Sequence, residues 1–305
     1  MNAAFSIKVD ALHRWGKPDA ILVATTLKDI PHLVPHAIAQ AKLSAAKVLL
    51  AHVIEPSYLR THPAAGAPFV IPEPAIREVQ DELGRIVKQF QWKGVLCEPV
   101  VLKGLAEEQI PALVKQRNID RVIVGTRSAG FVERTLLGSV ADDLLHELDV
   151  PVCVIGPHVR PQVQMDREPG SILFATSLHH TGEQAAQFAI DLANLYQSRL
   201  TLLHVMRTTG ASENERRRLR HQKEDELSSL ITEEARLWAS PSIAIREGDP
   251  AGEILAESAE MSAELIVLGA TGASKASRLL ATGVAYRVIA EAKVPVITLR
   301  HAHPV

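Results

Sequence analysis

The residues whose types and spacing could do chemistry fall in two short loops. Gly125-Thr126-Arg127-Ser128-Ala129-Gly130 follows an apolar β-branched run, and Gly138-Ser139-Val140 comes shortly after it, opening a helical pattern. Gly269-Ala270-Thr271-Gly272, followed by Thr282-Gly283-Val284, repeats the arrangement. Small residues let a backbone approach a ligand closely. A hydroxyl beside free N–H groups at the positive end of a helix makes an anion site. The same glycines also fit a plain strand end and a helix cap. Arg127, Arg134, Lys275 and Arg278 lie in these segments, either as phosphate partners or as solvated loop charges.

The other reactive side chains read as structural. His52 and His204 occupy equivalent strand-end positions and fit packed, hydrogen-bonded rings. His32 and His36 have a spacing metals use, but Pro35 and the lack of a third ligand argue against it. The same holds for His179, His180, His301 and His303. Arg216, Arg217, Arg218 and Arg220 are flanked by Glu213, Glu215, Glu224, Asp225 and Glu226, which makes a solvated helix face. Cys97 and Cys153 fall in strand patterns, as inert buried thiols do. No Gly-x4-Gly-Lys-Ser/Thr loop, Gly-x-Ser-x-Gly elbow or Ser-Gly-Gly-x-Asp loop occurs, and no paired carboxylates fall in the expected cleft. No catalytic residue and no metal ligand is therefore assigned, and the chain reads as a non-enzyme.

The elements that must position these loops occur twice. Ile21-Leu-Val-Ala-Thr25 recurs as Ile172-Leu-Phe-Ala-Thr176, Val48 to Val53 as Leu200 to Val205, Arg121 to Gly125 as Glu264 to Gly269, and Val150-Pro-Val as Val294-Pro-Val296. Four matches in order mark two copies of one domain. Strands are expected at 20–25, 47–54, 96–102, 121–125 and 152–155, and at 172–176, 199–206, 243–247, 265–269 and 296–299. Helices fit 32–46, 106–117 and 140–147, and Ile76, Val79, Leu83, Ile86, Val87 and Phe90 keep helical spacing. In copy two, Leu219, Leu227, Leu230, Ile231, Leu237 and Trp238 fit one long helix. Strands alternating with helices predict an α/β fold of two repeated five-stranded parallel sheets, helices on both faces. Near-continuous apolar strands agree with burial on both faces. The proline-rich stretch 58–74 reads as an excursion, and the domains read as 17–158 and 171–301 with a linker at 159–170.

Composition narrows the function. With 47% apolar residues and 22% charged, the 305-residue chain can bury a sizeable core. A net charge of −2, from 33 basic and 35 acidic residues, argues against a nucleic-acid binder, and 4% aromatics against a base-stacking surface. No apolar run approaches the about 18 residues of a membrane span, and the start lacks a secretory signal pattern. Two cysteines make no disulfide framework, which fits a reducing cytoplasm.

The Gly-x2-Gly-x9-Gly-Ser/Thr pattern after a fourth strand resembles that of the universal stress protein family, as do the Ile-Leu-Val-Ala-Thr and Val-Pro-Val strands. The resemblance covers nearly the whole chain, twice, so the chain looks like a tandem member. It implies Rossmann-like domains of strand order 3-2-1-4-5, and a pocket at the carboxyl ends of the strands that takes ATP in some members. The implied contacts in copy one are Thr25, Thr26, Val53, Gly125, Ser128, Gly138, Ser139 and Val140. In copy two they are Thr176, Ser177, Val205, Gly269, Gly272, Thr282, Gly283 and Val284. Both copies depart from the motif: Ser128 replaces the second glycine, Thr282-Gly283 stands for Gly-Ser, and Thr26 and Ser177 replace an adenosine-binding Asp. The expected ligand is an adenine nucleotide, ATP with Mg²⁺. The alternative is a protein-interaction module with degenerate pockets, and an ATP hydrolase is least favoured. The fifth strands are expected to pair edge to edge within the chain, making a pseudo-dimer, and two chains could associate as a homodimer.

Overall fold

The computed structural model describes residues 15–55, 71–126, 139–160, 168–178, 182–207, 210, 212–238, 241–270 and 283–300. Copy one runs β1 (Ala20–Ala24), α1 (Ile30–Ser44), β2 (Lys47–Ile54), α2 (Glu73–Trp92), β3 (Cys97–Lys103), α3 (Ala106–Gln116), β4 (Arg121–Gly125), α4 (Ser139–Glu147) and β5 (Val152–Ile155). Copy two runs β6 (Ser171–Ala175), α5 (Gly182–Tyr196), β7 (Arg199–Met206), α6 (Glu213–Ser229), α7 (Glu233–Trp238), β8 (Ser242–Glu247), α8 (Pro250–Glu260), β9 (Leu265–Ala270), α9 (Val284–Glu291) and β10 (Val296–Arg300).

One ten-stranded sheet results, ordered β3-β2-β1-β4-β5-β10-β9-β6-β7-β8. Each half is parallel and wound 3-2-1-4-5. The halves join where β5 and β10 pair antiparallel, with Ile297 opposite Cys153. Along β1, Ile21 and Val23 enter the core on one face, and Ala20 and Leu22 enter the other. The first core takes Leu33 and Ala37 of α1, Leu83 and Phe90 of α2, and Phe188 and Leu192 of α5. The second takes Ile110 of α3, Leu144 of α4, Ile254 of α8 and Val288 of α9. Both cores run across the junction, so the sheet is one body with a helical layer on each side. The outermost strands are β3, which contains Pro99, and β8, which carries Arg246 and Glu247.

The junction holds a buried cation. Arg121 opens β4 and is fully buried. Its guanidinium donates to the carbonyls of Trp15 (2.6 Å) and Gly16 (3.3 Å) and to Gln40 Oε1 (3.1 Å), and it lies 5.8 Å from the centre of the Phe188 ring of copy two. Gln40 in turn donates to Cys153 Sγ at 3.1 Å. Gly156, just after β5, is needed for close approach: a Cβ there would run into the Ile289 carbonyl.

Two expected helices are corrected. The first begins at Ile30 rather than His32, because Pro31 sits in its first turn, where its missing N–H costs nothing. The long helix of copy two is two helices. The chain breaks at Leu230–Thr232, and the Thr232 hydroxyl accepts from the Ala235 N–H at 3.2 Å to start α7. Leu227 and Ile231 are buried while Leu219 is exposed, so one apolar stripe does not run through.

Candidate functional site

In this architecture ligands sit beyond the carboxyl ends of the strands, where the winding reverses. Here that point lies between β1 and β4, and between β6 and β9.

The turn after the first strand is built alike in both copies. The Thr25 hydroxyl accepts from the Leu27 N–H at 2.9 Å, and the Thr176 hydroxyl from the Leu178 N–H at 3.1 Å. Each closes a tight turn that forces a leucine into the left-handed region, φ 68° at Leu27 and 59° at Leu178. A histidine from the second strand holds the turn down. His52 Nδ1 lies 2.8 Å from the Thr25 carbonyl, and His204 Nδ1 2.9 Å from that of Thr176. A carbonyl only accepts, so Nδ1 carries the hydrogen in both rings. These histidines brace the mouth. Thr26 and Ser177 stand exposed on it.

The valines of the expected adenine contact and those opening the fourth helices lie on the same face of the sheet. Val53 and Val140 pack against the second core, as do Val205 and Val284. Gly125 ends β4 and Gly269 is the last residue but one of β9, both half-buried. Gly283 is the N-cap residue of α9, in extended backbone and without a side-chain cap. Ser139 is the first residue of α4. Ser128, Gly138, Gly272 and Thr282, with Arg127, Arg134, Lys275 and Arg278, lie outside the described residues.

Asp29 is the residue the motif reading missed. It precedes α1, is 3% exposed, and turns back to the end of β1. Its Oδ1 accepts from the Thr25 hydroxyl at 2.5 Å and from the Thr26 N–H at 3.2 Å. Its Oδ2 would be 3.1 Å from a Cβ on Gly125. Burial raises its carboxyl above the ordinary value, and the Thr25 hydrogen bond opposes that in part. A carboxylate is thus present at the end of the first strand, three residues beyond the position the motif assigns. Asp before Ile30-Pro31 was a legible N-cap signal. Thr126 adds a second group. It is 7% exposed and its hydroxyl meets no hydrogen-bond partner among the described residues; Ala270 stands at the matching place in the sequence.

The remaining candidates are structural. His32 Nε2 lies 2.7 Å from the Gly156 carbonyl, and burial with the nearby His32 holds His36 at a pKa of about 4. No group of three metal-ligating side chains occurs among the described residues. Burial pushes the Cys97 thiol up to about 12 and the Cys153 thiol to about 11, so neither is a ready thiolate. A cleft of about 220 Å³ lined by Trp15, Pro111, Lys115, Glu147 and Asp149 opens near the amino ends of β4 and β5, at the opposite end of copy one from its own switch point. No helix among the described residues is long and apolar enough to cross a membrane.

Two halves wound 3-2-1-4-5, each with a small-residue mouth at its switch point, define a tandem doubly wound α/β protein. The profile of the universal stress protein family matches residues 18–156 and again 170–300. The chain belongs to that family. A universal stress protein of Mycolicibacterium smegmatis is 28% identical over 97% of this chain and 94% of its own length. One from Methanocaldococcus jannaschii is 29% identical over 44% of this chain and 80% of its own. The crystal structure of a universal stress protein from Archaeoglobus fulgidus superposes with a TM-score of 0.68 at 19% identity, covering 94% of this chain and 98% of that one, and shows the same fold.

Proposed function

We propose that the protein is a cytoplasmic stress-response regulator that binds an adenine nucleotide at the carboxyl ends of the strands and does not turn it over. One observation carries this reading: both copies build the same braced turn at the switch point, with a glycine at the end of the neighbouring fourth strand or one residue before it. Val53 and Val140 in copy one, and Val205 and Val284 in copy two, are the proposed apolar contacts for a purine. Thr26, Ser177 and Thr126 offer hydroxyls for ribose. Ser128, Gly138, Ser139, Gly272, Thr282 and Gly283 are the proposed phosphate-side contacts, with α4 and α9 directing their positive ends there. ATP fits with Mg²⁺ carried on its own phosphates, because Asp29 already accepts two protein donors. No acid–base pair is proposed, so the role is sensing or sequestration.

Titration calorimetry with ATP and Mg²⁺ tests the reading, against a Gly138→Val, Gly272→Val variant. Binding tighter than about millimolar that the variant loses is expected; no binding by the parent chain would overturn it. A second reading, an interaction module with decayed pockets, is favoured by Trp92 and Leu96, which lie 82% and 79% exposed beside the β3 edge. Nucleotide retained through purification would decide against it.

A further inference from the structure

The two copies differ in charge at matched positions around their mouths. In copy two, Arg207 lies two residues beyond Val205, and Arg287 lies one turn into α9 from Gly283. Both face Asp249, the N-cap of α8. Arg287 Nη1 sits 2.9 and 2.8 Å from its two carboxylate oxygens. The Gly252 N–H, together with Arg287 and Arg207, holds the Asp249 carboxyl below its ordinary range.

Matched as His52 is to His204 and Gly104 to Gly248, these positions in copy one hold Glu55, Asp143 and Leu105. Two arginines become two acids. Glu55 takes over the capping: its Oε1 accepts from the Ala106 N–H at 2.9 Å, at the start of α3. The second difference lies at the switch point. Gly125 faces the Asp29 carboxylate, whereas Gly269 faces the methyl of Ala185, with 3.2 Å to a Cβ built there. The glycine loops do not reverse this contrast. Each carries two basic residues by sequence, and the first alone adds Glu133.

We propose that a phosphate-bearing adenine ligand is taken by the second copy and turned away by the first, with Arg207 and Arg287 setting the choice. The inference rests on the nucleotide reading of the pockets. A like charge near a phosphate at the protein surface, replaced by an opposite one, changes affinity by about tenfold or more at low salt.

AMP and adenosine separate the two claims, because they share a base and sugar and differ in the phosphate. Calorimetry on the full chain should give one AMP per chain, weakening as salt rises. An Arg207→Glu, Arg287→Asp variant should lose about tenfold in AMP affinity while adenosine affinity moves less than about twofold. Asp143→Arg alone, which leaves the Glu55 cap in place, should create or tighten a second AMP site. Two equal AMP sites per chain, or an AMP affinity unmoved in the arginine variant, would overturn the inference and leave the nucleotide reading standing. Failure of both AMP and adenosine to bind would remove both.

Discussion

Copy one and copy two share a scaffold and differ at what it presents. The shared part is backbone conformation. Leu27 and Leu178 take the same left-handed turn, Ala45 and Gln197 end the first helices in it, and Asn118 and Ser262 repeat it before the fourth strands. None is a glycine, so each position is held by its surroundings. The differences lie in the residues that line each mouth: Glu55 against Arg207, Asp143 against Arg287, Thr126 against Ala270. A fold tolerates such changes because the mouth lies on loops and helix starts, while the braced turn beneath it stays fixed.

Breaking the junction should give the largest effect. Arg121→Leu, which installs the residue copy two has at Leu265, would leave the Trp15 and Gly16 carbonyls without their donor. Urea unfolding should show a loss on the order of 3–5 kcal/mol. A small change would mean that the two halves do not need this clamp.

Acidification should separate the copies next. The folded-state pKa of His36 is lowered from 6.5 to about 4, so the unfolded chain binds the proton more tightly. Its contribution is complete above pH about 6.5 and is lost as pH falls toward about 4, by roughly 3 kcal/mol in all. Asp29 acts the other way. Its raised folded-state value favours the neutral acid, so acidification toward 3.8 relieves its burial. His36→Phe, the residue at the matching Phe188, should flatten the dependence between pH 7 and 4.5 in denaturant midpoints.

Removing the braces compares the mouths directly. His204→Ala and His52→Ala should each cost about 1–2 kcal/mol, with the buried His204 the more costly. Equal losses would show the two turns to be equally solvated. The smallest effect is a gain: Ala45→Gly and Gln197→Gly relieve left-handed backbone and should each raise stability by up to about 1 kcal/mol in thermal unfolding. A loss in either would place the strain elsewhere.

The sequence made β2, β4, β5 and β7 legible to the residue, because strands buried on both faces announce themselves as unbroken apolar runs. Pairing of β5 with β10 was readable too, since an apolar edge must be covered. Local overrides were harder to see. Thr232 restarts a helix within an otherwise continuous pattern. Arg121 reads as an exposed strand start and is buried because the Trp15–Gly16 segment, Gln40 and α5 of the other copy close over it. Asp29 was hidden because a motif counts positions, whereas a side chain reaches back across a turn.

The antiparallel seam between β5 and β10 has a consequence for symmetry. Two identical subunits joined through such a seam must accept every substitution twice, and each change at one mouth is imposed on the other. Joined in one chain, the halves meet at an effective concentration fixed by the linker instead of by protein abundance. Each mouth is then free to change without the other. A single molecule can therefore carry two unlike mouths, at opposite ends of one sheet, at any dilution.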